Sequence, residues 1–290
     1  MLLCVAPVTG ECWCDGGGET YRTTYTTDSQ RQTCQFLARP LARRTRQTDR
    51  HGCITGGGLI MVPDVAAGVL LVALPLAFNA AFALLARMFD YPDILRRPTE
   101  EILSRFRAGG SRLVLLWWGF ALTAVSLAPL AVLVAFALPG ADAVLLVTGS
   151  TVGVLAAAVQ FLGLIRWPFL VPYLAREMVS PESSPARKEA IDVVFQSFNR
   201  YLGVAVGEHL GFFFTGVWSV LVGVAMVQSP AGLPILGIAG IVIGAILVLC
   251  SLEFVGAAEP EGWAMAATVT PFAYIAWSLW LLGAGVWFLL

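Results

Sequence analysis

An all-α polytopic membrane protein, built as a bundle of six transmembrane helices with short amphipathic cytoplasmic helices, follows from three features of the sequence. The 290 residues are 58% hydrophobic and 13% charged, with a mean hydropathy of +0.77, whereas a soluble domain carries about 25% charged residues. Six stretches stay apolar for about 20 residues, the helix length that a hydrocarbon core of about 30 Å requires. Basic residues gather in alternate loops between those stretches. Together these features exclude an ordinary soluble enzyme and a disordered chain. A formal net charge of −1 gives no basic field for phosphates, so a nucleic-acid partner is excluded as well. The partner in view is the lipid bilayer.

The spans fall at 65–87, 113–138, 143–165, 201–227, 233–252 and 264–290. Pro139-Gly140 ends the second and Ser229-Pro230-Ala231-Gly232 ends the fourth, both strong turn formers. Orientation follows Lys and Arg in short loops. Arg96, Arg97, Arg105, Arg107 and Arg112 follow span one, and Arg166, Arg176, Arg187, Lys188 and Arg200 follow span three. The loops after spans two and four carry no base. The expected place is therefore the inner (cell) membrane, multi-pass, with the basic loops in the cytoplasm and both termini outside. Only Lys188 is lysine among 18 basic residues, a codon bias that points to a GC-rich, bacterial genome.

Residues 1–60 read differently. They hold seven Arg, five of the six Cys and ten Thr, with no long apolar run and no helix or strand periodicity. A metal or disulfide module on Cys4, Cys12, Cys14, Cys34, His51 and Cys53 is one reading. However, Cys12-Trp13-Cys14 is too tight for a zinc knuckle, and an odd number of cysteines suits no disulfide framework. The expectation is an over-extended start, with the true one at Met61, and disorder if the segment exists. Seven arginines ahead of an outward-starting span oppose translocation, which favours the same start. Residues 61–290 form the transmembrane domain.

The loops contain structure of their own. Residues 98–107 suit a short helix with Ile102, Leu103 and Phe106 on one side, stopped by Gly109-Gly110. Ile191, Val194, Phe195, Phe198 and Leu202 mark an amphipathic helix that either lies on the inner surface or packs on the bundle, then turns into span four. Pro168 and Pro172 bend or end span three. Trp117, Trp118, Trp167, Trp263, Trp277, Trp280 and Trp287 suit an interfacial belt or packing, more readily than a ligand cage. Gly203, Gly207 and Gly211, and again Gly240 and Gly244, repeat every four residues, a spacing that lets helices approach closely. Packing within the bundle is the expected use, and a homo-oligomer or membrane-protein partner the alternative.

Ionisable groups inside a bilayer are costly and tend to serve function. Glu208-His209 in span four lies roughly 10 Å inside the cytoplasmic boundary at a rise of about 1.5 Å per residue. Gln160, Asn79 and Thr270 fall at similar depth on three other spans, with Arg166 and Arg200 at the boundary. The sharp reading is a cytoplasm-facing polar site in which Glu208 and His209 bind a polar group or relay a proton. The plainer one is a structural network, with Glu208 on an arginine and His209 on a carbonyl.

The run Leu164-Ile165-Arg166-Trp167-Pro168-Phe169-Leu170-Val171-Pro172, with Phe198-Asn199-Arg200-Tyr201-Leu202-Gly203 and Gly207-Glu208-His209-Leu210-Gly211, resembles the bacterial membrane family of domain of unknown function 4386. The resemblance covers about residues 61–290 and implies a six-helix bundle. It supplies no activity, ligand or catalytic residue. No H-E-x-x-H, G-x-S-x-G or P-loop occurs, so no enzyme activity, metal or cofactor is expected. A non-enzymatic sensor, scaffold or partner-binding protein comes first. A small-molecule transporter or permease using the polar layer comes second, and an intramembrane enzyme last.

Overall fold

The computed structural model describes residues 11–16, 19–24, 63–258 and 261–290. The chain divides into two units, Met1–Ile60 and Met61–Leu290. In the first, β1 (Glu11–Gly16) and β2 (Glu19–Thr24) pair antiparallel, with Glu11 opposite Thr24 and Gly16 opposite Glu19. The sequence reading found no strand there. The metal or disulfide reading of the amino-terminal cysteines and the expected disorder otherwise lie outside the described residues.

The second unit is helical. α1 (Pro63–Phe89) is followed by a 3₁₀ turn at Asp93–Arg96, then α2 (Thr99–Val125) and α3 (Leu127–Phe136). α4 (Ala143–Phe169), α5 (Val171–Val179) and α6 (Pro185–Phe198) come next. A π-helix (Asn199–Leu210) leads directly into α7 (Gly211–Gln228), with α8 (Pro234–Cys250) and α9 (Ala264–Leu289) completing the unit. Five helical runs, at Pro63–Phe89, Thr99–Phe136, Ala143–Val179, Pro185–Gln228 and Ala264–Leu289, are long and apolar enough to cross a membrane. α8 is shorter at 17 residues, about 25 Å at the α-helical rise. The protein is an all-α polytopic membrane protein.

Large apolar side chains are exposed on the surface of the bundle. Leu115, Ile238, Val242, Phe272 and Leu279 are each more than half exposed, as apolar side chains are where the surroundings are hydrocarbon. On α8 the exposed Ile235, Ile238, Val242 and Leu249 share one face, opposite the buried Gly237, Gly240, Gly244 and Leu247.

Local chemistry sets the helix ends. The Asp142 carboxylate accepts the Leu145 N–H at 2.9 Å and starts α4, satisfying an orphan donor of the first turn. α4 stops at Phe169, one residue past Pro168, and α5 resumes with Pro172 in its first turn, where a missing N–H costs nothing. Inside α2 the chain leaves helical geometry at Gly110, with φ 59° and ψ −152°, a region open essentially to glycine alone. The segment before it buries Ile102, Leu103 and Phe106, the side expected of a short helix on the loop. α6 buries Ile191 and Phe195 and is tied to α2 by Gln196 Nε2 donating to Thr99 Oγ1 at 2.9 Å. Contrary to the expected turn into span four, no break separates them: Asn199 and Gly211 both hold helical dihedrals.

Two cores result. One joins Leu71 and Leu74 of α1, Leu130 of α3, Trp218 and Met226 of α7 and Trp277, Trp280 and Leu281 of α9. The other joins Leu85 and Phe89 of α1, Phe106 and Trp117 of α2, Trp167, Leu174 of α5 and Phe195 of α6, at the arginine-rich end. Trp117 and Trp167 are not belt residues. They are buried and stack at 4.3 Å with an interplanar angle of 8°. Trp118, Trp263 and Trp287 are the exposed ones.

In the first core α7 and α8 meet backbone to backbone. A Cβ added at Gly216 would lie 2.5 Å from the Gly244 carbonyl, and one at Gly244 would lie 2.5 Å from the Gly216 carbonyl. Gly223 and Gly237 repeat this reciprocal contact. Gly240 instead receives the ring of Trp280, whose Nε1 donates to the Leu236 carbonyl at 2.9 Å.

Candidate functional site

The π-helix carries Glu208 and His209, and π-type turns inside α-helices occur frequently at functional sites. Each glycine costs about 1 kcal/mol of α-helix preference, so Gly203 and Gly207 ease the departure from α geometry. The same glycines seat the π-helix on α4. A Cβ at Gly203 would lie 2.6 Å from the Arg166 guanidinium, one at Gly207 3.1 Å from Gly163 Cα, and one at Gly211 2.9 Å from the Gln160 side chain. The stripe Gly203, Gly207, Gly211 is thus matched by Arg166, Gly163, Gln160 running the other way.

Arg166 is held from several sides. Nη1 donates to the Gly163 carbonyl, Nη2 donates to Asn199 Oδ1 at 3.0 Å, and the guanidinium lies 5.4 Å from the Trp167 ring centroid. Gln160 Nε2 donates to Thr215 Oγ1 at 2.9 Å. Ser219 donates to the Thr215 carbonyl at 2.8 Å and accepts from Trp277 Nε1 at 2.9 Å. This chain of polar groups is closed, as hydrocarbon surroundings demand.

His209 Nδ1 lies 2.7 Å from the Ser251 carbonyl, which requires the tautomer with the proton on Nδ1. α8 ends there. A short helix that stops below the membrane surface leaves its last carbonyls without donors. His209 supplies one, and Ser251 Oγ supplies another to the Val248 carbonyl at 2.7 Å.

Glu208 differs from these neighbours. Among the described residues its carboxylate has no hydrogen bond and no basic nitrogen within ion-pair distance. Burial and the Glu208 charge push the Tyr91 phenol up from its ordinary value, with Arg166 opposing. Burial raises the Glu253 carboxyl, against the pull of Arg96. Neither the Tyr91 nor the Tyr274 phenol has a hydrogen-bond partner among the described residues. The rings sit in an aromatic wall. Tyr91 is 5.1 Å from Trp117 and 5.5 Å from Phe82, and Tyr274 is 5.1 Å from Phe212. The buried Trp117 indole N–H also lacks an acceptor among the described residues. The buried Trp218 indole N–H, in the other core, lacks one too.

The other expected members lie apart. Asn79 Nδ2 donates to the Pro75 carbonyl at 2.7 Å and to Ser278 Oγ at 3.0 Å, tying α1 to α9. Thr270 bonds its own helix at the Ala266 carbonyl, 2.8 Å away. Arg200 is exposed. Tyr91, Asn199, Glu253 and Tyr274 were not singled out from sequence. Tyr274, a phenol within an apolar span, carried a signal of the same kind as Gln160. Tyr91 lies outside every span and carried none. Among the described residues no three His, Cys, Asp or Glu side chains converge as a metal site would need.

No curated protein and no solved structure matches the chain. One family model does match, over residues 66–288, which is most of the chain. Those residues contain the whole glycine stripe, the π-helix and the Glu208 cluster. The chain therefore belongs to the family described as domain of unknown function (DUF4386).

Proposed function

We propose that this integral membrane protein is a non-enzymatic sensor of the cell membrane, binding a small polar molecule at Glu208 from the cytoplasmic side. The observation that carries the reading is Glu208 itself, an in-span carboxylate on the π-helix that has no hydrogen bond among the described residues. By contrast, Gln160, Thr215, Ser219 and Trp277 bond to one another. The glycine-paired and tryptophan-filled half of the bundle beyond the site favours one-sided access over a transport path. α6 runs without interruption into the π-helix, so occupancy at Glu208 bears on a helix that a partner protein can reach.

Directional labelling tests this. In a background with the six cysteines replaced by serine, Glu208→Cys is treated in sealed vesicles with a membrane-impermeant thiol reagent. Labelling from the cytoplasmic face alone is expected. Labelling from both faces would replace the sensor with a permease, and labelling from neither would leave a structural network.

A further inference from the structure

We propose that the groove between α1 and α2 holds an acyl chain of an anionic phospholipid whose phosphate sits on Arg112. The groove has a volume of about 200 Å³ and is lined by Leu70, Ala73 and Ala77 of α1 and Gly119, Leu122 and Thr123 of α2. An apolar space of about 150 Å³ already admits a benzene ring, so this one has room for several methylene groups. Its lining suits hydrocarbon. Thr123 Oγ1 donates to the Phe120 carbonyl at 2.7 Å and Ser126 Oγ to the Leu122 carbonyl at 2.8 Å, so the hydroxyls at the groove are spent on their own helix. A Cβ built on Gly119 meets nothing within 4 Å.

The groove leads to a charge. Arg112, Leu115, Gly119 and Leu122 follow at spacings of three and four residues, one stripe of α2 beyond the break at Gly110. Leu115 and Leu122 are exposed along it. Thr123 is eleven residues from Arg112, about 16 Å at the α-helical rise, close to half of a hydrocarbon core of about 30 Å. A lipid with its phosphate at Arg112 thus reaches the groove with the end of its chain. Arg112 is exposed and has no ion pair among the described residues. The rings of Phe78 and Phe120 lie 4.9 Å apart. Counting nine residues on from Phe78 and nine back from Phe120 sets Arg87 level with Ser111. Arg87, exposed and likewise without an ion pair among the described residues, adds positive charge at the same depth. The acid at that end of α1, Asp90, is paired with Arg105 at 3.4 Å. Basic pockets between membrane helices hold anionic headgroups in this way.

A second copy of the chain suits the groove less well. Copies share one orientation in the membrane, so a twofold contact through this face would set Arg112 against Arg112 at equal depth.

The test uses the full-length protein purified in detergent and titrated separately with phosphatidylglycerol, phosphatidylcholine and glycerol 3-phosphate. Native mass spectrometry and melting temperature are followed together. Phosphatidylglycerol is expected to be retained at one per chain and to raise the melting temperature, with the other two inert. Arg112→Gln should weaken phosphatidylglycerol binding about fivefold. Gly119→Leu, whose side chain fills the groove, should weaken it by a similar factor and leave the lipid-free melting temperature unchanged. Arg176→Gln, at an exposed arginine of α5, should leave binding as it is.

Equal retention of phosphatidylcholine would overturn the proposal, as would undiminished binding in Arg112→Gln. Weakening in Arg112→Gln without weakening in Gly119→Leu would overturn the groove as the seat of the chain. If Arg112→Gln fails to fold, Gly119→Leu and the comparison of the two lipids on the unaltered chain still decide it. Stabilisation by glycerol 3-phosphate equal to that by phosphatidylglycerol would replace the lipid with a free phosphate. A dimer that Gly119→Leu dissolves would replace it with a second copy.

Discussion

The two halves of the bundle share one apolar setting and differ in how their helices pack. In the half built on α7, α8 and α9, helices meet at glycine backbones and each in-span hydroxyl or amide on the Gln160 to Trp277 chain has a partner. At the arginine-rich end the helices are kinked at Gly110, widened from Asn199 to Leu210 and lined by aromatic rings. There Glu208, the Tyr91 phenol and the Trp117 N–H have no hydrogen-bond partner among the described residues. Even the first half leaves the buried Trp218 indole N–H without an acceptor among the described residues, so what sets the second half apart is the in-span acid Glu208.

Three substitutions would break or sharpen that contrast. Gly223→Leu should be the most damaging, because its side chain would enter the Gly237 backbone, which cannot yield as a side chain can. A loss of about 3 kcal/mol, the upper range for overpacking, should appear as a large fall in melting temperature in detergent. Trp277→Phe keeps a ring in place and removes the donor to Ser219, whose hydroxyl is buried. It should cost about 1 kcal/mol. Tyr274→Phe, one turn earlier on the same helix, removes a hydroxyl that has no partner among the described residues. Its effect should stay within about 0.5 kcal/mol. Equal losses for Trp277→Phe and Tyr274→Phe, measured by the same thermal unfolding, would mean that the Tyr274 hydroxyl is bonded in the working fold.

The polar layer shows where legibility ended. Depth along each span follows from residue counting, and Gln160, Arg166 and Glu208 do come to the π-helix and its packing face. Facing does not follow from counting. Asn79 has similar depth yet turns to Ser278 on α9, and Thr270 turns to its own helix. The π-helix itself shifts the angular position of every side chain it carries, so a 3.6-residue period cannot place Glu208 and His209. Tyr91 packs on Trp117 from a loop between α1 and α2, a contact that no periodicity encodes.

The amino-acid sequence alone determined that the chain is a polytopic membrane bundle, because apolar length and charge depletion are properties of composition that hydrocarbon selects directly. It also marked some of the helix breaks, since glycine and proline act on their own backbone: Gly110, Pro168 and Pro172 each fall at one, although Pro75 and Pro271 stay inside α1 and α9. Tertiary structure decided which polar groups are spent and which are left open. Arg166 is committed only because Gly163 and Asn199 stand where its nitrogens reach, and His209 serves as the cap of α8 only because α8 stops at Ser251. Such pairings depend on helix rotation and on contacts between residues far apart in the chain, and those are settled only when the helices pack.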